Sequence, residues 1–554
     1  MKLLRTDLLF LFFILAVAAY LRLGNLGVSS FWVDELDFVY AAKSQMETGE
    51  PLLNSGYAYP RAMLFTRSVM ASFKMFGISE FSSRLPSAIF GILAVGLIYV
   101  IGKWLFNSRV GMLSALFLSL SPFAIGWSRT CRMYTLFQLL FMAGAYLLYR
   151  GFESRKETSE PVSPPKNFFE RIKFLRHDWG LNFGCLAAGA GVMYLSFITH
   201  ELAGLFALSF FLFLLVVGIA VLISKGWKPS AKYLITFFVM VVSSGSAFAI
   251  LPALQAKAQE GLEFLPKWAE VAGAQNRMRL LDFLFSEELV PLNGFFIIGT
   301  MQSLWHACKA GVYLLALLAA PMVLFTFVFA FQKNSYIFHV YPAVVLLAAY
   351  ALDRLIEYES TAEQGKALRD WLHKIRLEKA QPAIIMLFFL AWMPLTFWFR
   401  LALSAPRQTD GQYNGAIYHA EWRQAADFVR QQWQSSDAVI STLPQTAQYY
   451  LGRADYNLNW PNADLARQHN IFDKDGRLID YYSGAEVIED QAELQRIVDG
   501  HARGWLIVDS YRFGEAVYVP AEIRRFVEQR LTKKFESKRK TMMVFGWNNE
   551  PGAL

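Results

Sequence analysis

Long apolar runs separated by short polar segments fill the first three-quarters of the chain, and a stretch of ordinary polarity with brief alternating runs follows them. About 20 predominantly apolar residues suffice to cross roughly 30 Å of hydrocarbon as a helix. On that measure the pattern predicts eleven membrane spans, at about 7–24, 85–106, 110–127, 133–150, 180–198, 202–224, 232–252, 290–308, 311–331, 337–352 and 381–402. The eighth is the weakest, because Leu292-Asn293-Gly294 is only moderately apolar and Gln302 and His306 follow it. The opening run follows Lys2 and Arg5 and lacks a small-residue cleavage site before the acidic pair at 34–35, so it reads as a retained anchor.

Basic residues orient these spans. The N-terminus, Lys103 and Arg109, Lys225 and Lys228, and the 354–379 segment all fall on one side, which the excess of Lys and Arg marks as cytoplasmic. The strongest marker is 150–176, with Arg150, Arg155, Lys156, Lys166, Arg171, Lys173 and Arg176; its Pro161, Pro164 and Pro165 read as a linker. An odd number of spans then places everything after about residue 403 outside. The expected architecture is an α-helical polytopic protein of the cell inner membrane, residues 1–402, with a periplasmic α/β domain over 403–554. In that tail the β-rich runs 437–441 and 504–509 alternate with helical patterns over 421–432, 491–499 and 520–531, which predicts a mostly parallel sheet.

Composition agrees. Of 554 residues 55% are hydrophobic and 16% aromatic, with mean hydropathy +0.30, which is more apolar surface than a soluble fold needs. The net charge of +8 follows topology and is no nucleic-acid footprint. Cys131, Cys185 and Cys308 have no paired spacing, so neither a disulfide framework nor a zinc site is expected. The tail has no glycine-rich nucleotide motif. Asp473-Lys474-Asp475-Gly476 is a turn and not a calcium loop, since Ile471 and Tyr482 stand where carboxylates are required. Lys533, Lys534, Lys538, Arg539 and Lys540 read as a solvated helix face.

Candidate chemistry begins at Asp34-Glu35, adjacent carboxylates a few residues beyond the first span. Such a pair can serve as general base and orienting partner when burial and mutual repulsion push the two apart in acidity; the alternative is a helix cap. Other segments on the same predicted side carry polar groups: Tyr59 and Arg61 within 57–61, Arg129, Arg132 and Tyr134 within 128–134, His200 beside Glu201, and Lys333 with Tyr336 within 332–336. Arg129 and Arg132 are three apart and share a helix face, and paired guanidinium forks suit phosphate, though interfacial arginines also snorkel to lipid. His200-Glu201 suits a metal or phosphate, or a polar cluster at a span end. With no HExxH set the metal site is unknown; a divalent metal stays open and no other cofactor is called for.

Several stretches resemble the bacterial relatives of the protein O-mannosyltransferases and of the lipid A aminoarabinose transferase, membrane glycosyltransferases of the GT-C architecture. They are Trp32-Val33-Asp34-Glu35, the segment 76–87 containing Arg84, Leu120-Ser121-Pro122-Phe123 leading to Arg129, Arg132 and Tyr134, and 336–352. Together they cover about a quarter of the chain. The resemblance implies transfer of a sugar, with inversion, from a polyprenyl-phosphate donor to an envelope acceptor: a glycolipid, polysaccharide or protein. It implies Asp34 as base and Arg129 and Arg132 at the carrier phosphate; Glu35, the other member of the carboxylate pair, is the second candidate catalytic residue. The candidate substrate-binding set is Arg129, Arg132, Tyr134, His200, Tyr59, Arg61, Arg84, Lys333 and Tyr336. Membrane lipids are the other expected partners. Two departures stand out: many relatives carry an acid where this chain has Thr130, and a His-Pro-Pro stretch where it has Tyr59-Pro60-Arg61. Rival readings are a transporter or flippase of lipid-linked sugars, which should show mid-membrane charges, and a non-catalytic envelope scaffold.

Overall fold

The computed structural model describes residues 2–154, 175–250 except 177, 290–328, 333–361, 397–458, 470–516 and 518–549, with 252, 255, 282, 283 and 286 besides. The chain forms two compact units: Met1–Leu21, Ile89–Ile125 and Met133–Leu403 make the first, and Arg22–Ala88, Gly126–Arg132 and Ser404–Leu554 the second.

The opening stretch folds into α1 (Lys2–Leu23), α2 (Val33–Thr48), α3 (Met63–Phe76), α4 (Glu80–Leu105), α5 (Ser108–Leu120), α6 (Pro122–Ser128) and α7 (Tyr134–Phe152). Beyond them the helices Phe183–Thr199, Leu205–Lys225, Trp227–Ile250, Val290–Trp305, Lys309–Val323 and Tyr341–Thr361 coincide with the fifth to tenth apolar runs. Most of the eleventh run, 381–396, lies outside the described residues, as does most of the basic linker. Among the described residues three helices are long and apolar enough to cross a membrane: Glu80–Leu105, Glu201–Lys225 and Lys309–Phe327. The protein is a membrane protein. These helices fall short of the eleven crossings expected, partly because several are short, Phe183–Thr199 with 17 residues and Val290–Trp305 with 16.

The third run is broken rather than straight. The pair α5 and α6 bends by 62° at Ser121-Pro122. Proline disfavours helical backbone in the residue before it, and Ser121 is accordingly extended at φ −65°, ψ 117°. Within the first unit α7 packs on Phe183–Thr199 through small residues: a Cβ on Gly189 would stand 2.8 Å from Leu148, and one on Gly144 3.1 Å from Met193. Glycine here permits close helix approach.

In the second unit, β1 (Gln412–Tyr413) and β2 (Tyr418–His419) form a hairpin. The remaining strands are β3 (Ala438–Ser441), β4 (Tyr456–Asn457), β5 (Asn470–Phe472), β6 (Leu478–Asp480), β7 (Glu486–Val487), β8 (Arg503–Asp509), β9 (Thr532–Glu536) and β10 (Met542–Asn548), in the spatial order β5-β6-β7-β4-β3-β8-β10-β9. The sheet is mixed, not mostly parallel. Its centre, β7-β4-β3-β8, is parallel, while the flanking pairs are antiparallel. Tight turns join β5 to β6 and β9 to β10, and a tight turn can only link antiparallel strands. The first of these is the expected Asp473–Gly476 turn, with Gly476 at φ +78°.

Lys533 and Lys534 sit on β9, an exposed edge strand, and Lys538 to Lys540 on the turn after it, so the basic run is no helix face. Charges there protect an open edge from pairing. The core packs Ile440, Leu506, Val508, Phe545 and Trp547 of the sheet against Leu494, Val498, Ile523 and Val527 of the helices Gln491–Gly500 and Ala521–Arg530.

Candidate active site

The acidic pair lies in the first turn of α2, which Gly49 ends at φ +89°. The helical period splits the pair. Residues 34, 37, 38 and 41 share one face and Glu35 turns away from it.

Glu35 is fully buried. Its Oε1 accepts from Arg84 Nε at 2.8 Å and from the Cys131 N–H at 2.7 Å; its Oε2 accepts from Arg84 Nη2 at 2.8 Å and from the Trp32 N–H at 2.9 Å. Burial alone would push its pKa up, but the Arg84 guanidinium and the Cys131 N–H outweigh it and hold the carboxyl below its ordinary range. Glu35 is therefore both a cap of α2 and half of a forked ion pair. Its oxygens are not presented to a substrate, contrary to the expected catalytic role.

Arg84, expected at the substrate, is 1% exposed and fully engaged: besides Glu35 it donates to the carbonyls of Leu26, Ser29 and Ser30. Those bonds fix the turn ahead of α2. Arg129 likewise departs from the expected phosphate grip. Its guanidinium donates to the carbonyls of Arg22, Gly24 and Asn25 at 3.2, 2.7 and 3.3 Å, where α1 runs out of internal donors.

Arg132 has different company. Its Nη1 donates to the Asp34 carbonyl at 2.6 Å and to Asp37 Oδ2 at 3.2 Å, and its Nη2 lies 3.9 Å from Asp34 Oδ2. The guanidinium packs over Trp32 and Phe38 at 5.9 and 5.2 Å. The Asp34 side chain is 35% exposed, against 9% for Asp37 and 6% for Arg132. An open carboxylate thus stands beside a largely buried cation.

Asp37 was not anticipated, nor was Gln445, whose amide donates to Asp37 Oδ1 at 3.0 Å from the helix Pro444–Leu451. Tyr59, a predicted site residue, points its hydroxyl at Asp37 Oδ2 from 3.4 Å, whereas Arg61 is exposed. Burial pushes the Asp37 carboxyl up to about 7 against the pull of Arg132, and the charge of Asp34 acts in the same direction as burial.

The tail also secures the turn before α2. Ser30 donates its N–H and its hydroxyl to Asp410, the Phe31 N–H donates to the Tyr450 hydroxyl at 2.6 Å, and Arg423 donates to the Val28 carbonyl at 2.7 Å. Buried His419 lies 2.9 Å through Nδ1 from the Ser30 carbonyl, which only accepts, so Nδ1 carries the proton. Its Nε2 accepts from Asn414, whose side-chain oxygen is taken by the N–H groups of Ala416 and Ile417. Burial, helped by the positive charge of Arg84, depresses this imidazole to about 4.

Tyr134, His200, Lys333 and Tyr336 belong to the first unit. His200 stacks on Phe137 at 4.9 Å, lies 5.8 Å from the Tyr134 ring, and accepts the Leu202 N–H to start the short helix Glu201–Gly204. Tyr336 packs on Phe325, and exposed Lys333 precedes the turn Asn334–Ile337. Among the described residues no three of His, Cys, Asp and Glu gather in a metal-binding group.

Residues 63–160 match the family described as dolichyl-phosphate-mannose-protein mannosyltransferase. A protein of Aquifex aeolicus described as uncharacterized is 28% identical over 138 residues, which is 24% of this chain and 28% of that one. The match thus spans under a third of that relative's length. Solved structures share the fold. ArnT from Cupriavidus metallidurans bound to undecaprenyl phosphate matches 96% of this chain and 97% of its own at 14% identity and TM-score 0.55. The archaeal oligosaccharyltransferase AglB from Archaeoglobus fulgidus, in complex with an inhibitory peptide and a dolichol-phosphate, matches 97% of this chain and 74% of its own at 11% identity and TM-score 0.58. By that family match and this shared fold, the chain is related to the GT-C superfamily of membrane glycosyltransferases.

Proposed function

We propose that this protein is a glycosyltransferase that takes a sugar from a polyprenyl-phosphate carrier at the outer face of the inner membrane and transfers it, with inversion, to an envelope acceptor. The observation that carries this reading is the Asp34–Arg132 pair, an open carboxylate with a cation 3.9 Å away. The lipid phosphates bound to the two fold neighbours support the donor class.

In the reaction, the acceptor hydroxyl attacks the anomeric carbon, a new C–O bond forms there, and the bond to the carrier phosphate oxygen breaks. Asp34 takes the hydroxyl proton as attack develops. Arg132 stabilises the negative charge that gathers on the departing phosphate, which leaves without needing a proton. Glu35, Arg84 and Arg129 act as positioning residues: they set the turn and the two segments from which Asp34 and Arg132 project. Tyr59 reaches Asp37 beside the pair.

The test is transfer from a polyprenyl-phosphoryl sugar to envelope fractions by detergent-solubilised protein, with products identified by mass spectrometry. Mass gain that disappears in Asp34→Asn supports the assignment; equal transfer by the variant removes Asp34 from the reaction. Orientation is tested separately by cysteine labelling in cells. A Cys at Ser435 should label from outside and one at Ser163 should not; the reverse pattern would put the site on the cytoplasmic face.

A further inference from the structure

Arg132 is not a cation waiting for an anion. It already lies between two carboxylates, with Asp37 Oδ2 at 3.2 Å and Asp34 Oδ2 at 3.9 Å. A donor phosphodiester arriving there would put three negative charges around one guanidinium in a largely buried site. Like charges so placed cannot all remain ionised at low cost, and one is neutralised by a proton.

Geometry selects which one. The Asp37 side chain is 9% exposed, while that of Asp34 is 35% exposed and remains hydrated. The surroundings of Asp37 also suit a neutral acid. Gln445 donates to Oδ1, which stays an acceptor in the protonated form, and the Tyr59 hydroxyl, which donates to Oδ2 at 3.4 Å, can rotate to accept a proton carried on that oxygen.

The titratable and charged groups facing Asp37 are Arg132 and Cys131 of the 126–132 segment, Asp34 of α2, Tyr59 of the loop before α3, and Tyr481 and Tyr482 after β6. Burial raises the Cys131 thiol and the Tyr59, Tyr481 and Tyr482 hydroxyls, so these stay neutral in the physiological range. Asp37 is left as the group poised near neutrality, at about 7.

We propose that Asp37 is the resting counter-ion of Arg132, and that it takes up a solvent proton when the donor phosphate replaces it on the guanidinium. This rests on the reading that Arg132 receives that phosphate. It makes donor capture proton-linked: binding strengthens as pH falls through neutrality and weakens as pH rises, because ionised Asp37 then competes for the same cation. Asp37 is a positioning residue here, acting on the substrate through Arg132.

The test is calorimetric titration of the full chain in detergent with farnesyl methyl phosphate, a diester that keeps one negative charge throughout. Affinity should fall about tenfold from about pH 6 to about pH 8, within the usual range of coupling between linked sites. The dependence of the heat on buffer ionisation should show net proton uptake. Asp37→Asn should bind with nearly pH-independent affinity. A flat profile without proton uptake in the unaltered protein overturns the proposal, and needs no variant to fold. So does a slope that persists in Asp37→Asn. Arg132→Ala separates the two readings: unchanged binding in that variant overturns the phosphate assignment itself, whereas lost binding with a flat profile in the unaltered protein overturns only the proton linkage.

Discussion

Glu35 and Asp37 stand two residues apart on α2, each buried and each facing an arginine, yet their environments differ in kind. Glu35 has a matched fork, two N–H donors and no exposed oxygen, and its carboxyl is held low. Asp37 has one direct guanidinium contact, an amide and a long bond from the Tyr59 hydroxyl, shares its arginine with Asp34, and its carboxyl is pushed up to about 7. Burial opposes ionisation of both. The outcome turns on the neighbouring charges first: Glu35 faces Arg84, with hydrogen bonds adding to its pull, whereas Asp37 has the like charge of Asp34 beside it. A fully answered buried charge fixes a loop; a partly answered one keeps free energy available for a ligand.

The largest effect should fall on the open side of this contrast. Asp34→Asn is nearly isosteric and cannot accept a proton, so turnover should drop ~10²–10⁴-fold with donor binding kept. Donor titration beside turnover checks it, and equal losses in both would turn Asp34 into a binding residue. Next comes the closed side. Arg84→Met leaves Glu35 as an uncompensated buried charge and should cost ~3–5 kcal/mol of stability, read by thermal unfolding in detergent, while Glu35→Leu combined with Arg84→Met should recover part of it. If Glu35→Gln instead abolishes turnover without lowering stability, the contrast between the two acids breaks.

Arg132→Ala removes a charge-assisted contact worth ~1.5–3 kcal/mol, so donor affinity should fall about tenfold to a hundredfold or more. Arg132→Lys should also weaken it, since an ammonium keeps the charge but lacks the planar fork. Equal affinity in the lysine variant would show that the fork is not used. The smallest effect concerns His419. Its folded value of about 4 lies below the 6.5 of the free side chain, so the stability it contributes is fully present above 6.5 and is lost as pH falls through 4. Unfolding midpoints measured across that window should decline more steeply in the unaltered protein than in His419→Gln.

Much of this was legible in the chain and some was not, for physical reasons. Apolar runs identify helices well because a helix facing lipid needs no partner to declare itself; what they miss is the bend at Ser121-Pro122, which proline signalled. Asp34 stood out because a charge is conspicuous next to a span. The three arginines could not be told apart: Arg84, Arg129 and Arg132 carry the same group, and only tertiary packing decides which meets a carboxylate and which meets carbonyls. Asp37 was within reach of sequence reasoning, since three residues along a helix return to the same face, but adjacency drew the eye to Glu35 instead. Gln445 and His419 come from about 400 residues away and no local pattern announces them. The mixed sheet escaped for another reason: β4 and β7 are two residues long, too short for alternation to register.

The turn before α2 is tied by Asp410, His419, Arg423 and Tyr450, and Asp37 is answered by Gln445. The groups that hold the turn before Asp34 lie 380 to 419 positions later in the chain than the residues they bind. Until the 404–451 segment has been synthesised and has docked, the turn before α2 keeps its ties to Arg84 without them. The turn thus reaches its final form late in biosynthesis: a chain stalled before this segment lacks the ties to Asp410, His419, Arg423 and Tyr450.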